Sequence, residues 1–332
     1  MSEEVHDLLN GPVMDVVPRP DGRLIFGDFP LDENIIACFP NGTKVFSAGR
    51  FGASEWTITA RINVGFLDGA HARYFVKCAA EERGRVMMEG EYNAMSELYK
   101  TMPEFVPRPI CCGRYRFDNP ETYYFLSDFI DMSDGIPEPD QLCYKLAQLH
   151  KNSVSPTGKF GLQVTTCQGR TPQAVSWESS WTRFFSNLLR HVTDLDQQTN
   201  GYWDGLGLLE RRIFECVIPR LIGALERDGR IVKPCLIHAD LWEGNIGTSN
   251  ETGDIYIFDS GAYYAHNEME IGDWRCHYNK IHDEIYTNTY LQYYEPSEPK
   301  EEWDDRNRMY SIYYNVIYSI NHMAEGQAVR QM

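Results

Sequence analysis

The sequence predicts an α+β protein of two lobes, a small sheet-plus-helix lobe followed by a larger, mostly helical one. Three observations predict it. The first third alternates apolar and polar residues with a period of two, from Trp56 through Ile58, Ala60, Ile62 and Val64. The last two thirds carry apolar stripes at helical spacing instead. Between them, Asp131–Asp140 reads DMSDGIPEPD, a Gly/Pro/Asp loop of the kind that joins units. The expected division is therefore a lobe over residues 1–126, a hinge and linker over 127–140, and a helical lobe over 141–332 with a cleft between the lobes.

Taken in order, the Trp56–Val64 strand is followed by a turn at Asp68-Gly69 and a second strand, Arg73–Cys78 (RYFVKC). A helix is expected from about Val86 to Tyr99, with Met87, Met88, Ala94, Met95, Leu98 and Tyr99 on its apolar face. It should stop at Met102-Pro103, and Pro107 and Pro109 hold the chain extended before a buried strand at Tyr123–Phe129. Downstream, Gln141–His150 reads as a short helix. Residues 177–192 form an amphipathic stripe through Trp177, Trp181, Phe184, Phe185, Leu188, Leu189 and Val192. Residues 206–225 repeat the pattern through Leu208, Leu209, Ile213, Val217, Ile218, Leu221 and Leu225, and the tail repeats it through Met309, Ile312, Tyr313, Val316, Ile317, Ile320 and Met323.

Composition narrows the function classes. The 332 residues are 42% hydrophobic and 24% charged, ordinary globular proportions. With 31 basic against 48 acidic residues the formal charge is −17, which excludes blanket binding to nucleic-acid phosphates or anionic membranes. The apolar runs are short and interrupted, so no bilayer span is expected, and MSEEVHDLL is acidic where a targeting peptide would be basic. Nine cysteines show no Cys-x-x-Cys pair, and the adjacent Cys111-Cys112 suits neither an ordinary disulfide nor a zinc site. Reduced, mostly buried thiols in a cytoplasmic protein are the expectation.

Chemistry concentrates in Cys235–Gly247 (CLIHADLWEGNIG) and Ile255–Gly261 (IYIFDSG). Each half is a short apolar strand followed by an acidic residue in a polar loop. Asn245 lies five residues after Asp240, and Asp259 fourteen after Asn245. Phosphoryl transfer needs a carboxylate to orient the attacking hydroxyl and take its proton, and oxygen ligands for the metal that bridges the nucleotide phosphates. Asp240 answers the first need; Asn245 and Asp259 answer the second. The same Asp-x4-Asn spacing, with a later Asp on the next strand–turn, serves protein kinases. His238 is read as a hydrogen-bonded scaffold residue rather than a proton carrier.

Such a reaction also needs a cation on the phosphates and an acid to hold it. Lys77 sits inside the RYFVKC strand, where a buried lysine requires a partner. Glu91 on the next helix is the first choice and Glu89 the second. A phosphate-covering turn should precede Lys77 by one hairpin, and Ser47–Ser54, with Gly49 and Gly52, stands there without a Gly-x-Gly-x-x-Gly or Walker pattern.

These residues resemble the fructosamine kinase (ketosamine-3-kinase) family, within the aminoglycoside-phosphotransferase-like branch of the protein-kinase-like fold. HADLWEGN is similar to that family's His-Gly-Asp-Leu-Trp-x-Gly-Asn. FDSGAYYAHNEMEI resembles its Asp-Pro-Ala-x-x-Tyr-Gly-His-x-Glu-x-Glu-Leu at Asp259, Tyr264, His266, Glu268 and Glu270. Lys159–Phe185 resembles its Lys-Phe-Gly segment, and MMEGEYNAMSEL its small-lobe helix, which favours Glu91 over Glu89. The resemblance implies ATP- and Mg²⁺-dependent phosphorylation of a sugar hydroxyl on a ketoamine, free or on a protein lysine. In that reading Asp240 is the base, Asn245 and Asp259 bind metal, and Lys77 with Glu91 holds the phosphates. Ser127, Asp128, Phe129 and Ile130 form the hinge at adenine, and Trp242, Tyr264 and His266 lie near the sugar.

Two departures stand out: Ala239 replaces the family's Gly, and Ser260-Gly261 replaces Pro-Ala. Ala fits there unless the backbone needs a positive φ. Two other readings use the same residues: a small-metabolite hydroxyl kinase of this fold, and a non-catalytic ATP-binding scaffold.

Overall fold

The computed structural model describes residues 16–18, 24–133, 135–323, 328 and 330. Its N-terminal part is built on a seven-stranded sheet with the order β1-β2-β3-β4-β5-β7-β6. The strands are β1 (Val16–Pro18), β2 (Leu24–Phe26), β3 (Lys44–Arg50), β4 (Ile58–Gly65), β5 (His71–Ala80), β6 (Pro109–Asp118) and β7 (Glu121–Asp128). The predicted period of two holds in β4, where Ile58, Ala60, Ile62 and Val64 are buried and Thr59, Arg61 and Asn63 are only partly so. The β4–β5 pairing is antiparallel with Thr59 opposite Lys77, so both point to the same face. The sheet is not wholly antiparallel, as β2 meets β3 in parallel through Phe26 and Ser47.

Alternation gives this sheet two different faces. On one, Phe29, Leu31, Ile35 and Phe39 from the segment before β3 cover Ala48, Ala60, Ile62, Val76 and Leu126. On the other, Ala79 and Phe125 meet the Glu81–Thr101 helix through Met87, Met88, Ala94, Met95 and Leu98. That second core continues without a break into the helical part of the chain.

The helical part is organised by the Pro139–Asn152, Trp181–Asn200 and Trp303–Asn321 helices. Short ladders carry the loops between them: β8 (Met132–Ser133), β9 (Cys167–Gln168) paired with β10 (Thr171–Pro172), β11 (Cys235–Ile237) with β14 (Tyr263–Ala265), and β12 (Ile246–Ser249) with β13 (Ile255–Ile257) and β8. Among the described residues no helix is long and apolar enough to cross a membrane.

Three expectations shift. The helix expected from residue 177 starts at Trp181, because Ser180 Oγ accepts from the Arg183 amide and Glu226 accepts from those of Trp181 and Thr182. The 206–225 stripe is split by a π-helical turn, Ile213–Val217. One extra residue per turn rotates the apolar face, which leaves Leu208 62% and Leu209 54% exposed while Ile218, Leu221 and Leu225 are buried. Cys38 and Cys111 are joined as a disulfide, against the expectation of reduced thiols throughout. Adjacency misled there: strand alternation sends Cys111 and Cys112 to opposite faces of β6, so each meets different neighbours.

Candidate active site

Four elements converge on one cluster of ionisable groups. Lys77, from the middle of β5, is 6% exposed and donates to Glu91 Oε1 of the Glu81–Thr101 helix at 2.9 Å. The same ammonium donates to Asp259 Oδ1, so one lysine joins the sheet, the helix and the loop after β13. Glu89, the second choice for this role, pairs instead with Arg85 on its own helix at 2.8 Å. Burial alone would lower the Lys77 pKa, but Asp259 and Glu91 outweigh it and hold the ammonium charged above the ordinary lysine value. Burial pushes Glu91 up to about 7 despite Lys77, which pulls it down.

Asp240 lies at the end of the loop that leaves β11. Asn245 Nδ2 donates to both its backbone oxygen (2.8 Å) and its Oδ2 (3.0 Å). An amide that spends its NH₂ group this way keeps its own oxygen free, the atom a hard cation would take. Gln168 Nε2 donates to Asp240 Oδ1 at 3.0 Å. Burial and the charge of Asp259 push Asp240 up to about 7, while the Gln168 and Asn245 hydrogen bonds and Lys77 act against them.

The donor chemistry fits a Mg²⁺ ion bound through nucleotide phosphates: an amide oxygen on Asn245 and the carboxylate of Asp259. Among the described residues there is no cluster of three or more His, Cys, Asp or Glu side chains that could cage a metal alone.

The backbone of the Asp240 loop is held by a residue to which the motif reading gave no role. Glu270, fully buried, accepts from the amides of both His238 and Ala239, the second at 2.9 Å. Its sequence signal was its place in the FDSGAYYAHNEMEI stretch, which carried no role for it. His238 is a scaffold group here: its Nε2 donates to Phe258 O at 2.9 Å, and burial lowers its pKa. Ala239 has φ +66, the left-handed region where glycine is favoured, and Asp259 has φ +63. Asp tolerates that region; Ala pays a steric cost of roughly 1–2 kcal/mol. We therefore expect Ala239→Gly to keep kcat and to hold or raise the melting temperature in a thermal scan; a clear drop in either would contradict this strain.

The turn expected to cover the phosphates joins β3 to β4, with Gly49 one residue before the end of β3 and Gly52 at φ +78. Its Phe51 meets Phe129 edge-on at 5.0 Å, and the Arg61 guanidinium lies 5.6 and 5.5 Å from the two rings. Of the expected hinge, Ser127 and Asp128 end β7, and the Asp128 and Phe129 amides donate to Arg108 O and Arg73 O. Those two amides are therefore spent within the protein.

The residues expected beside the sugar divide. Trp242 is 39% exposed and rests on Gly244, where a Cβ would meet its ring at 2.3 Å. Tyr264 and His266, each 2% exposed, lie inside the core. β14 pairs with β11 and with Gly161, so Tyr264 turns its hydroxyl to Glu97 Oε2 (3.1 Å). His266 spends its ring nitrogens on Tyr310 Oη and Ser297 Oγ, both at 2.9 Å, and burial pushes it down to about 4. Neighbouring Glu268 forms a buried pair with Arg306 at 2.8 and 3.0 Å.

A family model described as fructosamine kinase matches residues 53–330. The chain belongs to the fructosamine kinase family. The chloroplastic protein-ribulosamine 3-kinase of Oryza sativa subsp. japonica is 30% identical over 274 residues, 79% of this chain and 73% of that relative. The ketosamine-3-kinase of Mus musculus is 28% identical over 228 residues, 61% and 70% of the two chains. A Haemophilus somnus 129PT protein to which fructosamine-3-kinase activity has been ascribed superposes with a TM-score of 0.67 at 18% identity, covering 87% of this chain and 91% of its own. A thermostable aminoglycoside phosphotransferase APH(4)-Ia in ternary complex with AMP-PNP and hygromycin B gives 0.59 at 13% identity, covering 91% and 96%. The last two establish the fold, and family membership makes the protein a phosphotransferase acting on a sugar hydroxyl.

Proposed function

We propose that the protein uses ATP and Mg²⁺ to phosphorylate a sugar hydroxyl of a ketoamine, a ribulosamine or fructosamine on a free or protein-bound amine. The observation that carries this reading is the convergence of Lys77, Glu91, Asp240, Asn245 and Asp259 in a fructosamine kinase family member. The relative from rice is named for ribulosamine on protein, and the mouse relative for ketosamine.

Each residue then has one task. Lys77, kept charged by Glu91, binds the nucleotide phosphates. Asp240 receives the acceptor hydroxyl and takes its proton as the acceptor oxygen bonds to the γ-phosphorus, the bond from that phosphorus to the β–γ bridging oxygen breaks, and ADP leaves. Asn245 and Asp259 hold Mg²⁺, which offsets charge on the transferring phosphoryl group. Trp242 offers an aromatic wall to the apolar C–H face of a sugar, and the net charge of −17 suits a cationic amine.

The test is an acceptor panel with ATP and Mg²⁺. Ribulose- or fructose-linked lysine should be used with far higher kcat/KM than free ribose, free fructose or an aminoglycoside. Trp242→Ala should raise KM for the ketoamine more than for ATP. Equal use of free sugars, or indifference to ketoamines beside strong activity on another alcohol, would favour the small-metabolite kinase; ATP binding with no turnover would favour the scaffold.

A further inference from the structure

The Asp240 carboxylate is gripped from two sides. Asn245 belongs to the same loop and accounts for Oδ2; Gln168, which holds Oδ1 at 3.0 Å, comes from a separate element. It stands at the end of β9, next to the turn Gly169-Arg170 that leads into β10.

That hairpin is anchored independently of Asp240. Asn321, the last residue of the Trp303–Asn321 helix, donates from Nδ2 to Gln168 O at 3.0 Å and accepts from Thr171 Oγ1 at 2.8 Å. Gly169 has φ +55, and a Cβ there would meet Asn321 Nδ2 at 2.7 Å, so the turn approaches the helix end at glycine-only range. Arg170 lies 5.0 Å from the centre of the Trp56 ring. The backbone that carries Gln168 is thus fixed before its side chain reaches the base.

The side chain itself is 7% exposed, and its Oε1 has no hydrogen-bond partner among the described residues. A carboxylate oxygen can only accept, so the NH₂ end of the amide must face Asp240 and the carbonyl end is left over. Buried amides in a core placed for stability pair both ends. This one gives up a partner for its oxygen and keeps the bond to Asp240.

We propose that Gln168 is a positioning residue for Asp240: its amide, delivered by the anchored hairpin, fixes the rotation of the carboxylate so that a lone pair points at the acceptor hydroxyl. The Cβ–Cγ torsion of aspartate is broad and has no strong preference of its own. One donor on each oxygen removes that freedom and leaves further lone pairs on each oxygen for the acceptor. The inference rests on Asp240 being the base, as proposed above.

The experiment compares wild type, Gln168→Met, Asp240→Asn and the double variant on the best acceptor the wild type phosphorylates, with water as acceptor in ATP hydrolysis if no alcohol is used. Methionine keeps the length of the side chain and removes the donor. Gln168→Met should lower kcat roughly 10- to 100-fold, as expected for a misplaced catalytic group. KM for ATP should stay within about twofold, and the melting temperature should hold or rise because an unpaired buried oxygen is gone. In the Asp240→Asn background the same substitution should cost nothing further, since it acts only through that carboxylate. A Gln168→Met enzyme with wild-type kcat, or a loss that persists undiminished in the double variant, overturns the inference. An active Asp240→Asn enzyme overturns the base assignment instead.

Discussion

Asp240→Asn lowers kcat by at least ~10²-fold, the lower range for losing a general base. The substitution keeps the shape of the side chain but removes its ability to take a proton. ATP affinity should change little, because in the proposed mechanism the phosphates are served by Lys77, which is bonded to Glu91 and Asp259 rather than to Asp240. The same variant has a stability signature of known sign. The carboxyl of Asp240 is pushed from its ordinary 3.8 up to about 7, first by burial and then by the charge of Asp259. Between those values the folded protein holds a proton that the unfolded chain has released, so this group makes stability fall as pH rises through the window. Asn does not titrate. The melting temperature of Asp240→Asn relative to wild type should therefore move in the variant's favour between pH 4 and pH 8. A variant with near wild-type turnover, or a constant difference in melting temperature across that range, would refute the assignment.

Asp259→Ala removes turnover altogether at any practical Mg²⁺ concentration. Asp259 supplies the only carboxylate of the expected metal pair, and its Oδ1 is also an acceptor of the Lys77 ammonium. Its loss therefore weakens the metal site and removes one of the two anions that hold Lys77 beside Glu91. Asn245→Ala loses a neutral ligand, so excess metal should partly restore its activity. Chelator should abolish activity in the wild type, and Mg²⁺ or Mn²⁺ should return it. Steady-state rates across a metal titration check all three statements, and activity that survives chelation would sink the metal site.

Local signals made much of this molecule legible. The period-two run that became β4, the hairpin at Asp68-Gly69 and the Met-rich face of the Glu81–Thr101 helix are short-range patterns, and each is written in neighbouring residues. The residues brought around Lys77 were likewise readable, since charged groups at those spacings have few structural uses. Features set by distant contacts were not readable. The π turn at Ile213–Val217 rotates a stripe whose periodicity predicted a uniform face. Tyr264 and His266 share a short segment with Asp259, yet the β11–β14 pairing draws them into the core. Gln168 reaches Asp240 only through tertiary packing, and no spacing rule connects the two; Glu270 stood in a matched motif, but its grip on the Asp240 loop is likewise a tertiary contact. Ala239 is the instructive case. Its departure from glycine was visible in the sequence, but whether it mattered depended on a backbone angle of +66° that only the structure supplies.

The central claim is that Asp240 directs a sugar hydroxyl of a ketoamine at the terminal phosphate of ATP. The most direct measurement is ³¹P NMR and mass spectrometry of the reaction of wild-type enzyme with ATP, Mg²⁺ and ribulose-linked lysine. The account predicts one phosphate ester on the sugar for each ADP released. ADP formed without a sugar phosphate, or phosphate attached to the amine or to the protein itself, would contradict it.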